Sequence, residues 1–225
     1  MALKGETITL ESGDGAEIEC YHVAAEGRRR GGLVLVMEIF GVTDHIKELC
    51  DGYAADGYEV LSPAIYDRQV KGFEATYSDE DIKKSLDIRA ANTYENTVLD
   101  AQMCIDFLKP RGPVFMTGYC YGGSITWLAA CRAEGLAAAA GYYGGAIKDF
   151  IDETPKCPTV LHFGEKDASI PMEDVRRIEA AHPDVAVYVY DADHGFNSDR
   201  RQHYDADCAM LARERTIALF EANAR

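Results

Sequence analysis

Four side chains in this sequence could together break an acyl bond. Cys120 lies in T-G-Y-C-Y-G-G-S, with Gly118 two places before it and Gly122 two places after. A thiol at that spacing, between small residues that allow a tight, strained strand-to-helix turn, is a candidate nucleophile. At a helix N-terminus it would meet the partial positive charge that favours thiolate over thiol. Asp167 and His194 follow in the chain, each just past an apolar run. An imidazole can take the thiol proton, or stand as imidazolium beside the thiolate, and a carboxylate can hold its tautomer and orientation. Asp191 and Asp193 compete for the acid's place. Asp193 is the chain neighbour of His194, an awkward position from which to reach its imidazole, so Asp167 is preferred. Glu38 ends the first apolar run; by type alone it could cap a turn, pair with an arginine or act on the thiol. Two backbone N–H groups must face a developing oxyanion. The expected donors are those of Tyr121, the residue after the nucleophile, and of Ile39, in the turn after the first buried run.

These residues need a scaffold that brings strand ends together. The segment 31–41, G-G-L-V-L-V-M-E-I-F-G, reads as a strand buried on both faces, followed by a turn. Ile46, Leu49, Cys50, Tyr53 and Ala54 recur at helical spacing, with Gly57 as the stop. Residues 58–66 read as a second buried strand, and Val98, Ala101, Ile105 and Leu108 mark a helix that ends at Pro110. Residues 113–120 form a strand, with a helix beginning near Gly122. The alanine-rich 136–145 is a strand by its place in the alternation. Two more strands, 158–167 and 185–195, flank a helix at 172–181, and Ala209, Ala212, Thr216, Leu219 and Phe220 mark a last helix.

Strand and helix thus alternate from about residue 32 onward, which predicts a mostly parallel, doubly wound sheet in a single α/β domain over 1–225. The first 25 residues, with G-D-G-A as a hairpin turn, form an antiparallel edge. The segment 67–92 is charged and weakly periodic, a long loop that is functional or partly helical. In such sheets the site lies beyond the carboxyl ends of the strands. Glu38, Cys120, Asp167 and His194 all fall there, in the chain order nucleophile, acid, base.

The formal net charge of −15 argues against nucleic acid and anionic membrane as partners. The N-terminus has no signal-peptide pattern, and no apolar run approaches the ~20 residues of a spanning helix. Seven cysteines, with no CxxC pair, suit a reducing cytoplasm and argue against a structural zinc. No nucleotide-binding glycine motif is present.

M-E-I-F-G-V, G-Y-C-Y-G-G, A-A-G-Y-Y-G-G, H-F-G-E-K-D-A-S-I-P and D-A-D-H-G-F together resemble the dienelactone hydrolase family (carboxymethylenebutenolidases) over nearly the whole chain. The resemblance implies the α/β-hydrolase fold and a cysteine hydrolase with the triad Cys120, Asp167 and His194. It implies that Glu38 sits beside the thiol and restrains its ionisation until substrate binds. It implies hydrolysis of an enol-lactone to an open-chain dicarboxylic acid, without cofactor, and usually a monomer; no metal site is expected. Family members that bind dienelactone use two arginines for the substrate carboxylate, one in the loop before the middle helix and one four residues after the catalytic histidine. Ser198 stands at the second position, with Arg200 and Arg201 close by; the matching loop offers Lys83 and Lys84, with Arg89 further on. A lysine cannot make the bidentate fork of an arginine. The chemistry therefore carries over better than the substrate.

The expected function is a thiol-dependent hydrolase of lactones or small esters, inactive on amides, with Lys83, Arg89, Ser198 and Arg200 as substrate-binding candidates. A carboxylesterase or thioesterase for a substrate without the carboxylate is the alternative, and a non-catalytic thiol sensor on the same fold is the reading from another class. The other cysteines are expected in the core. His162 is expected as a hydrogen-bonded interior residue, and His22, His45, His182 and His203 as surface or packing residues. Lys83 and Lys84 are by default a solvated face.

Overall fold

Apolar runs with no polar alternation need cover on both faces, and the chain folds accordingly around one eight-stranded sheet. The structure is a computed structural model and describes residues 3–224. Its strands are β1 (Glu6–Glu11), β2 (Glu17–Val23), β3 (Gly31–Val36), β4 (Tyr58–Pro63), β5 (Val114–Tyr119), β6 (Leu136–Tyr142), β7 (Thr159–Gly164) and β8 (Ala186–Tyr190). Its helices are α1 (Asp44–Ala55), α2 (Asp79–Ala91), α3 (Tyr94–Leu108), α4 (Tyr121–Arg132), α5 (Met172–Ala181) and α6 (Ala206–Ala222). The strand order is β1-β2-β4-β3-β5-β6-β7-β8. The hairpin β1–β2 pairs antiparallel and joins β4 antiparallel, while every pairing from β4 through β3 to β8 is parallel. The antiparallel edge and the parallel body expected from the sequence are both present.

Every residue of β3, β4, β5 and β7 is buried. Helices α3 and α4 pack on each other, and α6 is tied to the end of α1 by Arg213 and Asp56 at 2.7 Å. The alanine-rich run is the strand β6, and α4 packs closely on its end. At Gly123 on α4 an added Cβ would lie 2.2 Å from the Tyr142 carbonyl oxygen of β6, so this helix lies almost on the backbone of the sheet.

Some expectations shift. The second buried strand stops at Pro63, and Ile65 and Tyr66 leave the sheet while staying buried. Part of 67–92 is the helix α2, capped by the Ser78 hydroxyl accepting from the Asp81 N–H. Only Ser85 and Ile88 of that helix are buried, so its sequence carries little apolar period. Cys20, Cys50, Cys104 and Cys131 are buried, whereas Cys157 and Cys208 are partly exposed. His162 is fully buried between the Tyr190 hydroxyl at 2.8 Å and the Thr216 hydroxyl at 3.1 Å. His182 and His45 are buried packing residues. No helix is long and apolar enough to cross a membrane, and no metal-binding cluster occurs among the described residues.

Candidate active site

Parallel pairing sets the ends of β3, β5 and β7 on one edge of the sheet, and the turns that follow deliver the site. Cys120 follows β5 directly and has φ 55° and ψ −112°, in the left-handed half of backbone space. For a residue with a Cβ this conformation costs about 1–3 kcal/mol and persists only where the surroundings over-determine it. Here the Cys120 N–H donates to the Tyr142 carbonyl at 3.0 Å, and the Cys120 carbonyl accepts from Gly123 N–H at 3.0 Å. The flanking glycines are a steric necessity. A Cβ on Gly118 would lie 2.3 Å from the Gly122 carbonyl oxygen, and one on Gly122 would lie 2.4 Å from that of Val36. The elbow is therefore pressed against the end of β3, where Glu38 and Ile39 begin the next turn. Cys120 itself is partly exposed, the N-cap of α4.

His194 Nδ1 donates to Asp167 Oδ2 at 2.6 Å. The aspartate is 4% exposed, and its other oxygen accepts from the Ser169 N–H at 2.8 Å and from the Ser169 hydroxyl. Burial opposes its ionised form, but the His194 and Ser169 contacts outweigh that and hold its pKa below the usual carboxylate range. The competing acids are engaged elsewhere, Asp193 with the His194 backbone N–H at 2.6 Å and Asp191 with Lys166. For His194, burial works against the imidazolium. The negative charge that Cys120 can carry and the bond to Asp167 outweigh it and push His194 up to about 10. The Tyr143 ring lies 5.0 Å from the imidazole.

The Ile39 and Tyr121 N–H groups have no acceptor among the described residues. Both belong to the turns that Gly122 brings into contact.

Glu38 is 2% exposed and accepts from the Tyr77 hydroxyl at 3.0 Å. The same hydroxyl is 3.1 Å from Ser198 Oγ, and the Arg201 guanidinium is 3.9 Å from Glu38 Oε1. The side chain beside the acid is thus Arg201, while Arg200 turns to Glu48 and Asp199. Ser198 is fully buried. Lys83 is exposed on α2. Arg89 lies over the Tyr121 ring at 5.1 Å and donates to the Tyr94 hydroxyl at 3.3 Å, with no carboxylate partner among the described residues. It lines a cavity of about 320 Å³ with Leu86, Ala90, Asn92, Tyr94 and Tyr121. The Tyr66 ring stacks on Tyr121, its buried hydroxyl unpartnered among the described residues.

Sequence reasoning missed Ser169, Tyr77, Tyr143 and Arg201 at Glu38. Ser169 had a local signal, since a serine two residues after an aspartate can bond back to its carboxylate. Tyr77 had none, because its partners lie 39 and 121 residues away.

Residues 18–224 match the dienelactone hydrolase family. The chain belongs to that family. It is by class an ester/lactone hydrolase, with the α/β-hydrolase fold. A Synechocystis protein named "Putative carboxymethylenebutenolidase" is 31% identical over 210 residues, covering 84% of this chain and 85% of its own. The crystal structure named "Putative Dienelactone Hydrolase", from Klebsiella pneumoniae, is similar with a TM-score of 0.85 and 28% identity, covering 98% of this chain and 99% of that one. The dienelactone hydrolase-like promiscuous phosphotriesterase P91, from metagenomic libraries, shares the fold with a TM-score of 0.75 at 20% identity, covering 98% and 99%.

Proposed function

We propose that this member of the family hydrolyses lactones and small esters through a thioester on Cys120. The observation that carries the reading is an imidazole held by Asp167 at 2.6 Å beside a strained elbow cysteine. The Cys120 thiolate attacks the ester carbonyl, and the oxyanion is received by the Ile39 and Tyr121 N–H groups. The carbon–oxygen bond breaks, and the His194 imidazolium gives its Nε2 proton to the departing alkoxide or enolate. Neutral His194 then takes a proton from water, the hydroxide adds to the thioester, and the thiolate leaves with the acid as product. Asp167 keeps Nε2 aimed at the sulfur throughout. An enolate is the better leaving group for this route, so enol-lactones and activated esters are the expected substrates.

Arg89, half-buried beside Tyr121 and without a carboxylate of its own, supports an anionic acyl group. A second reading, a neutral carboxylester or thioester, is supported by Ser198, which bonds Tyr77 where the dienelactone binders have an arginine. The test is hydrolysis of charged and neutral lactones and esters by wild type and Cys120→Ala, with mass spectrometry for a trapped thioester. Full activity in Cys120→Ala would refute the mechanism. Equal turnover of anionic and neutral substrates would favour the second reading.

A further inference from the structure

Glu38 is a buried carboxylate on the turn that touches the elbow, and a carboxylate bonded to a thiol holds the thiol's proton in place. Among the described residues it makes no hydrogen bond to Cys120; its hydrogen bond comes from Tyr77, and Oε1 has no hydrogen-bond partner. The Tyr77 hydroxyl has one proton, and Glu38 accepts it. The Ser198 hydroxyl must then be the donor in its 3.1 Å contact with Tyr77. A relay runs from Ser198 through Tyr77 to Glu38, and its direction is fixed by the carboxylate's inability to donate.

The segment carrying Tyr77 is clipped to the turn that carries Glu38. The Ala75 N–H donates to the Phe40 carbonyl at 2.9 Å, Gly41 bridges to Glu74, and the Phe40 and Tyr77 rings meet edge-on at 4.6 Å. Gly41 has φ 88°, and a Cβ there would lie 1.9 Å from the Phe73 carbonyl oxygen, so only glycine lets the strap sit this close. Lys47 anchors the strap from α1 through Glu74 at 2.7 Å. Arg201 arrives from the loop after β8 and lies over the Tyr77 ring at 5.7 Å.

We propose that Tyr77, oriented by Ser198, is a positioning residue that holds Glu38 towards itself and Arg201 and away from the Cys120 sulfur, so that the thiolate–imidazolium pair exists before substrate arrives. The inference rests on Cys120 being the nucleophile. The charged and titratable groups around Glu38 are Tyr77 on the strap, Arg201 after β8, and Tyr143 after β6. Around Cys120 they are His194, Tyr66, Arg89 and Tyr143. Tyr77 keeps its proton through the neutral range, because burial and the Glu38 charge both raise it well above the ordinary phenol value. A thiolate formed without help from the substrate needs no substrate charge to trigger it, so neutral activated esters acylate the enzyme too.

The experiment is the pH dependence of iodoacetamide alkylation at Cys120, followed site by site by mass spectrometry, in wild type, Tyr77→Phe, Glu38→Gln and the double variant. Tyr77→Phe frees Glu38 to bond the thiol. Its alkylation midpoint rises by about one pH unit, with a roughly tenfold slower rate on the acid side. In the Glu38→Gln background the same substitution leaves the midpoint unmoved, because the released group carries no charge. Ser198→Ala, which keeps the Tyr77 ring in place, shifts the midpoint in the same direction. An unchanged midpoint in Tyr77→Phe overturns the inference, as does a shift that persists beside Glu38→Gln. Failure of the nucleophile reading looks different: Cys120 then labels no faster than Cys157 or Cys208 in any variant, and the inference falls with it.

Discussion

Asp167 and His194 meet at 2.6 Å although 27 residues separate them, because each lies on the turn just past one of two adjacent parallel strands, β7 and β8. Ser169 fixes the far side of the same carboxylate. Asp167→Asn can turn an amide N–H towards Nδ1 and so favour the wrong imidazole tautomer. The expected loss in kcat is on the order of 10³- to 10⁴-fold with KM little changed. NMR titration of His194 should show its midpoint fall from about 10 towards the free value, since a negative neighbour is gone. An unchanged His194 titration would remove Asp167 from this role.

Acid sensitivity should come partly from His162. Burial, with Arg215 adding to it, pushes its pKa down to about 3. An unfolded histidine binds a proton below about pH 6.5, and the folded one does not until near its lowered value, so the unfolded state binds more protons in between. Stability is therefore lost as pH falls through that window, by up to about 1.4 kcal/mol per pH unit, and is fully present above it. His162→Gln should be less stable at pH 7 but show a flatter melting temperature between pH 6.5 and 3.5. Parallel curves for the two proteins would contradict this account.

Gly122→Ala tests the elbow. The new Cβ meets the Val36 and Met37 carbonyl oxygens, which cannot move without displacing β3. A destabilisation of about 1–3 kcal/mol is expected. The larger effect should be on kcat, because the Ile39 and Tyr121 N–H groups are forced apart. Calorimetry and ester kinetics read the two effects separately; a variant with normal kcat would show that these amides do not act together.

Arg89→Met should weaken kcat/KM for carboxylate-bearing esters by roughly 10- to 100-fold, the worth of a charge-assisted hydrogen bond, and leave neutral esters almost unchanged. Equal losses on both would mean that the residue supports Tyr121 and Tyr94 rather than substrate. Arg200→Met should change neither, since Glu48 holds its guanidinium at the surface.

Local sequence carried much of this. Uninterrupted apolar runs of strand length, each closed by a turn, imply buried parallel strands, and such strands put their ends together. The glycines around Cys120 imply close backbone approach wherever they fall. Those two facts suffice to set the fold class and to put Cys120, Asp167, His194 and Glu38 at strand ends as candidates; a part for Glu38 beside the thiol comes only from the family resemblance. The edges blurred where burial outlasts the strand, as at Ile65 and Tyr66, and where a helix such as α2 buries too few residues to show a period.

What the sequence determined by itself is the scaffold and the candidate groups that it gathers at the strand ends, because hydrophobic period and turn chemistry are local properties of the chain. What only the tertiary structure decided is the company each group keeps. Tyr77 reaches Glu38, Ser198 donates to Tyr77 instead of serving as an arginine would, and Arg201 rather than Arg200 lies beside the acid. Those pairings span loops of differing length, and a shift of one residue along a loop turns a side chain from the pocket to solvent. No local pattern encodes that; it follows from where the packed strap and the β8 loop come to rest.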